Sequence, residues 1–152
     1  MLPSKFYAAI GRIQLHSFPE CAAASTRNAL LLAEARGNLP ALRIPLPLEG
    51  TEHAWYEFYA FVEPEVLAPG WSPDRILSEI TRAGYHAFSG SCSEIYLETC
   101  FQEAGLAPSE RLPVASELSE TSLMFLVHPT IITEQMASYD EVVRTVVRRA
   151  FR

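Results

Sequence analysis

Apolar positions recur along this chain with two periods, and the switches between them mark its elements. From Ala8 to Arg36, Ile10, Ile13 and Leu30 to Leu32 stand among Arg, Gln, Glu and Ala, which predicts one long helix. Pro19 falls inside that span. It has no amide hydrogen for the Leu15 carbonyl and its ring crowds that oxygen, so a kink or break is expected there. Gly37-Asn38 supplies a left-handed stop. The first seven residues, MLPSKFY, carry no pattern, and Pro3 discourages a helix before it.

Beyond the helix the period shortens. Pro40, Pro45 and Pro47 leave only Leu42 to Ile44 able to pair, as a short edge strand. His53 to Val62 places aromatic and branched residues on both alternating faces, which predicts a central strand. Glu63 to Gly70 is a loop. Ser72-Pro73-Asp74 then opens a helix: the hydroxyl caps, the proline sits where no donor is needed, and the carboxylate meets the positive end of the dipole. Its buried face is Ile76, Leu77, Ile80 and Ala83. Tyr85 to Phe88 reads as a short strand, and Ser91 or Ser93 as the cap of a helix running through Leu97 and Phe101 to Gly105. Another helix starts at Leu112-Pro113 with Val114 and Leu118 inward, and Leu123 to Val127 is a second apolar strand. Thr133 caps a last helix whose inner face is Met136, Tyr139, Val143, Val146 and Ala150. The fold class expected is α+β: a small, mostly antiparallel sheet packed with helices and preceded by a long kinked helix.

Composition narrows the picture. A chain of 152 residues fits one domain and can bury a core, hiding roughly 70% of its unfolded surface. A formal charge of −6 argues against nucleic-acid or anionic-membrane partners, leaving small molecules or proteins. Cys21, Cys92 and Cys100 form no CxxC pair, and His16, His53, His86 and His128 are scattered, so no zinc site is expected. Free thiols, no signal-like start and no apolar run long enough to cross a bilayer give a soluble, cytoplasmic expectation.

The most suggestive stretch for chemistry is SGSCSE, residues 89–94. Amides at a helix start flanked by hydroxyls and a glycine can hold a phosphate or carboxylate. Capping explains the same serines better, and Glu94 would oppose an anion. Cys92 is a nucleophile only if a helix N-terminus lowers its pKa and His86 or His128 acts as base, and no local signature supports that pairing. Tyr96 lines a pocket or fills the core. His53 and His128 read as strand-end residues, and Arg144, Arg148, Arg149 and Arg152 as cations at the negative end of the last helix.

The order of these segments resembles the C-terminal small domain of the DegT/DnrJ/StrS family of pyridoxal-phosphate-dependent sugar aminotransferases. Ala8-Ala9-Ile10-Gly11-Arg12-Ile13-Gln14-Leu15 is similar to the second part of that family's QAAIGRxQL helix, and His53-Ala54-Trp55-Tyr56 to its first small-domain strand. Leu112 to Pro129 is similar to its LPVAEEL...SLPLHP segment. Where many members carry a GIHYPxPLH-type loop, this chain reads FSGSCSEIY, which resembles the variant loop of a polysaccharide-biosynthesis subgroup. The resemblance implies a boundary pattern of an off-pattern start at 1–7, a connecting helix at 8–37 and the small domain at 38–152.

It also implies amino transfer to a keto group of a nucleotide-linked sugar in lipopolysaccharide or related synthesis, with Ser89, Ser91, Cys92, Ser93, Glu94 and Tyr96 facing the substrate. Pyridoxal phosphate is the implied cofactor, and its chemistry requires an amine that holds its aldehyde. The only lysine here is Lys5, in the off-pattern start, and the family's lysine-bearing large domain has no counterpart. The chain is therefore expected to be a C-terminal fragment, inactive and without bound cofactor by itself, whose partner is a large domain or a second copy. The alternative is a non-catalytic interaction module that pairs with itself or with a full-length aminotransferase.

Overall fold

The sheet is built on two strands whose residues leave little choice of environment. β2 (Phe58–Val62) and β4 (Ser122–Phe125) pair antiparallel, with Phe58 opposite Phe125 and Ala60 opposite Leu123. Those four residues are almost completely buried and share one face, as cross-strand neighbours must. β1 (Leu42–Arg43) and β3 (Ala87–Ser89) lie on the outer edges, giving the order β1-β2-β4-β3, antiparallel throughout. The computed structural model describes residues 4–36, 39, 42–90 and 92–151.

Three helices cover the apolar face. α2 (Pro73–Arg82) lays Ile76 and Ile80 on it, and Ser72 caps it by accepting the Arg75 N–H at 3.2 Å. α5 (Thr133–Ala150) contributes Met136, Tyr139, Val143, Val146, Val147 and Ala150. α1 (Lys5–Arg36) packs only by its last third, where Ser25, Asn28, Ala29 and Leu32 are buried at helical spacing. The opposite face carries Tyr59, Phe61 and Met124 half-buried and is partly covered by α4 (Pro113–Thr121).

Several elements differ from the sequence expectation. α1 starts at Lys5, because the Ser4 hydroxyl accepts the Tyr7 N–H at 3.4 Å and the Ser4 carbonyl the Ala8 N–H at 3.1 Å. It runs unbroken through Pro19. The carbonyl that Pro19 cannot serve belongs to exposed Leu15 and faces water. The Gly37-Asn38 stop lies outside the described residues. The predicted strand at His53 keeps only its second half. Trp55 has φ +49°, its N–H donates to His53 Nδ1 at 3.0 Å, and its buried indole stacks on Phe58. That local turn replaces ladder pairing, so His53 does not begin a strand.

Thr133 is the first residue inside α5 and not its cap. Ile132 occupies the cap position, and its N–H donates to Gln135 Oε1 at 3.2 Å. Val114 is exposed on α4, whereas Ala115 and Leu118 are half-buried, and Ala83 is exposed beyond the end of α2. Arg144 is more than a helix-end cation: it forms an ion pair with buried Asp140 at 2.7 Å. No described helix is long and apolar enough to cross a membrane.

Candidate functional site

The segment after β3 is held by a clamp that runs between two distant parts of the chain. Gly90 leaves the sheet edge with its N–H donating to Ser122 Oγ at 2.9 Å. A Cβ at position 90 would meet the Ser122 side chain, lying 2.9 Å from its Cβ, so only glycine permits this approach. Four residues on, Glu94 is buried. Its carboxylate accepts Arg111 Nε at 2.8 Å, Arg111 Nη2 at 2.5 Å and the Tyr96 hydroxyl at 2.7 Å. The Tyr96 oxygen accepts the Leu112 N–H at 3.0 Å, and Arg111 reaches Glu120 at 3.2 Å. A buried carboxylate is tolerable only with such a set of donors, and the bidentate guanidinium fixes its direction as well.

The predicted single helix at 93–105 is two pieces. Ile95–Leu97 forms one 3₁₀ turn, Glu98 interrupts, and α3 (Thr99–Glu103) follows, closed at left-handed Gly105 with Leu106 N–H donating to the Phe101 carbonyl at 2.9 Å. The cap positions are Glu94 and Glu98, neither with a side-chain capping bond, so Ser93 caps no helix; Ser91 lies outside the described residues. The anion cradle imagined at a helix start therefore has no helix long enough to form it. Burial, helped by a hydrogen bond to Glu98 and that residue's charge, raises the Cys92 thiol above its ordinary pKa, the opposite of an activated nucleophile.

Of the sequence-predicted residues, Glu94 and Tyr96 are brought together as structural partners, with Cys92 beside Glu98. Ser89 is exposed on the edge strand and Ser93 half-buried. Arg111 and Ser122 were missed. Their signal was indirect: a carboxylate that folds inward demands a cation, and Arg111 heads the Leu112-Pro113 helix start. Beside the clamp lies a cleft of about 680 Å³, whose wall includes Arg43, Glu63, Arg111, Glu117 and Glu120. Its carboxylates outnumber its guanidiniums. Among the described residues, no group of three or more His, Cys, Asp or Glu side chains gathers as a metal site.

Arg111 first, then Tyr96, hold the Glu94 carboxyl down at a pKa of about 2 from an ordinary 4.5. A depressed folded-state pKa stabilises the fold fully above the unfolded value and loses that contribution as pH falls through the folded one. The clamp's stabilisation should thus be intact above about pH 4.5 and fade toward pH 2. Glu94→Gln should flatten the decline in unfolding free energy across that window, followed by urea denaturation at stepped pH. An unchanged decline would remove Glu94 as its source.

An antiparallel four-stranded sheet backed by helices, with a long helix leading in, is an architecture shared with solved aminotransferases. Residues 4–147 match the DegT/DnrJ/EryC1/StrS aminotransferase family, and the chain belongs to it. An aminotransferase from Psychrobacter cryohalolentis superposes with a TM-score of 0.88 at 40% identity, over 94% of this chain and 38% of its own. DesV from S. venezuelae, solved with a ketimine intermediate, gives a TM-score of 0.79 at 21% identity, over 94% of this chain and 36% of its own. The E. coli GDP-4-keto-6-deoxy-D-mannose-3-dehydratase, solved with hydrated PLP, gives 0.72 at 18%, over 89% and 34%. This chain thus spans little more than a third of each of these proteins. No curated protein matches it.

The residues present do not fit pyridoxal phosphate by themselves. Lys5, the only lysine, stands exposed in the first turn of α1, on a stretch where every residue through Cys21 is exposed. An amine in open water offers the cofactor no enclosing wall.

Proposed function

We propose that this chain is the small domain of a pyridoxal-phosphate-dependent nucleotide-sugar aminotransferase of cytoplasmic polysaccharide or lipopolysaccharide synthesis. It is catalytically silent until a lysine-bearing large domain is supplied. Residues 8–37 are the connecting helix and 38–152 the domain itself, with 1–7 an off-pattern start. The observation that carries this reading is the family match over nearly the whole chain, combined with a single lysine that stands in solvent.

Within the proposal the loop at 89–96 borders the sugar. Glu94 and Tyr96 are engaged with Arg111 and Leu112 and act as positioning residues. Ser89, Ser91, Cys92 and Ser93 are the proposed contacts to the sugar. The acidic cleft beside Arg111 is a poor home for the substrate's diphosphate, because its excess of carboxylates would repel it.

Adding pyridoxal phosphate to the purified chain should give the absorbance of free cofactor, with no adduct retained after borohydride reduction when the mass is measured. A new band and a reduced adduct, both abolished by Lys5→Ala, would overturn the claim that this chain cannot hold the cofactor alone.

A further inference from the structure

Glu57 carries an enclosed carboxylate oxygen to which this chain brings no donor. Among the described residues, no N–H or O–H reaches its Oε2. The two other inward-turned carboxylates are treated differently: Glu94 is met by Arg111 and Tyr96, and Asp140 by Arg144. Burial pushes the Glu57 carboxyl above its ordinary pKa, and the charge of His128 opposes that. His128 is itself committed elsewhere, with its Nδ1 2.8 Å from the Thr130 hydroxyl. An enclosed carboxylate oxygen without a donor is costly to the fold.

The position of Glu57 decides what can reach it. It stands one residue before β2, next to Phe58, whose ring lies in the core. Strand alternation therefore turns it toward the face that α1, α2 and α5 leave open. α4 covers the far end of that face, beside Phe61 and Glu63. At the near end Tyr56 is 86% exposed. The near end is also where α1 departs. Asn28 donates to the His128 carbonyl at 3.1 Å, and at Cys21, about 10 Å further along, the helix has left the fold and is exposed. This chain matches 38% of the Psychrobacter aminotransferase, and in the reading given above the rest of such a protein joins it through α1.

We infer that the Glu57 carboxylate is a docking acceptor for the large domain, taking its hydrogen bonds from a cationic side chain that this domain presents. The inference rests on the proposed function, which requires such a domain. A cation is the partner that fits, because the chain meets both of its other inward carboxylates with arginine. A charge-assisted bond also offsets the desolvation of a carboxylate better than a neutral one. The same acid therefore weakens the isolated domain and, in the complete protein, fixes how its two domains meet.

That opposition of sign is the test. Joining residues 8–151 to the portion of the Psychrobacter aminotransferase that this chain does not match gives a complete chimera for comparison. In the chain alone, Glu57→Leu should leave the urea midpoint unchanged or raise it, since leucine fills similar space without a carboxylate to desolvate. In the chimera the same substitution should lower the midpoint and quicken amide exchange from Tyr56 to Phe58 roughly tenfold or more. Glu57→Gln, which keeps the shape and one acceptor oxygen but not the charge, should fall between the parent and Glu57→Leu. A chain destabilised on its own by Glu57→Leu would already bond that carboxylate internally, which overturns the inference. A folded chimera indifferent to Glu57→Leu overturns it as well, and leaves the reading of function standing. A chimera that does not fold, or that folds and takes up no pyridoxal phosphate, overturns the reading of function and the inference with it.

Discussion

Gly90→Ala is expected to lower the unfolding free energy by about 2–3 kcal/mol, the range of overpacking in a fixed site. The added Cβ would fall on Ser122, whose Cβ is 2.9 Å away, and within 3.3 Å of the Tyr59 ring. Neither neighbour can retreat easily. Ser122 is buried on β4 opposite Phe61, between two strands, and its hydroxyl already receives the Gly90 N–H. The chain must therefore move at residue 90, which gives up that hydrogen bond and draws the 89–94 loop away from the Arg111 clamp. Chemical denaturation of Gly90→Ala, Ser122→Gly and the double variant measures the clash as their coupling energy. Ser122→Gly should recover most of the loss caused by Gly90→Ala. A single-variant effect below about 0.5 kcal/mol would mean that the loop is not held where Gly90 places it.

The elements that could be read in sequence were those whose cause is local. Ser72-Pro73-Asp74 begins α2 as expected, because a cap, a fixed φ and a dipole-matched carboxylate act within one turn. The α5 stripe of Met136, Tyr139, Val143, Val146 and Ala150 is buried as its spacing requires. β2 and β4 were legible as inner strands since their residues are apolar on successive positions. What escaped depended on partners remote in sequence. Nothing near Glu94 shows that Arg111 will come to it, so the serines around it read as caps when the carboxylate is what organises the turn. The His53 to Glu57 stretch has strand-like residues but, among the described residues, no strand beside it, and Trp55 takes a left-handed turn instead. The bare half of α1 shows the converse. Its helicity was legible from local composition, and an apolar face left open is what a chain spanning little more than a third of its relatives implies.

Asn28→Ala should cost about 2–3 kcal/mol, through polar groups left unpaired more than through lost volume. Asn28 is fully buried on the packed end of α1. Its Nδ2 donates to the carbonyls of His128 and Ile131, each at 3.1 Å, and lies 3.5 Å from that of Val127. Arg27 donates to its Oδ1 at 3.1 and 3.3 Å, which sets the amide's direction by keeping the acceptor end away from those carbonyls. One side chain thus ties the helix to the turn between β4 and α5, and with it to the whole sheet. Asn28→Leu separates the two causes, since leucine keeps nearly the same volume and makes none of the bonds. Both variants should lose similar stability in urea denaturation, and amide exchange at Ile131 and Ile132 should quicken in both as the turn loosens. If Asn28→Leu were as stable as the parent chain, packing alone would hold α1 to the sheet, and the carboxamide would have no structural part in the joint.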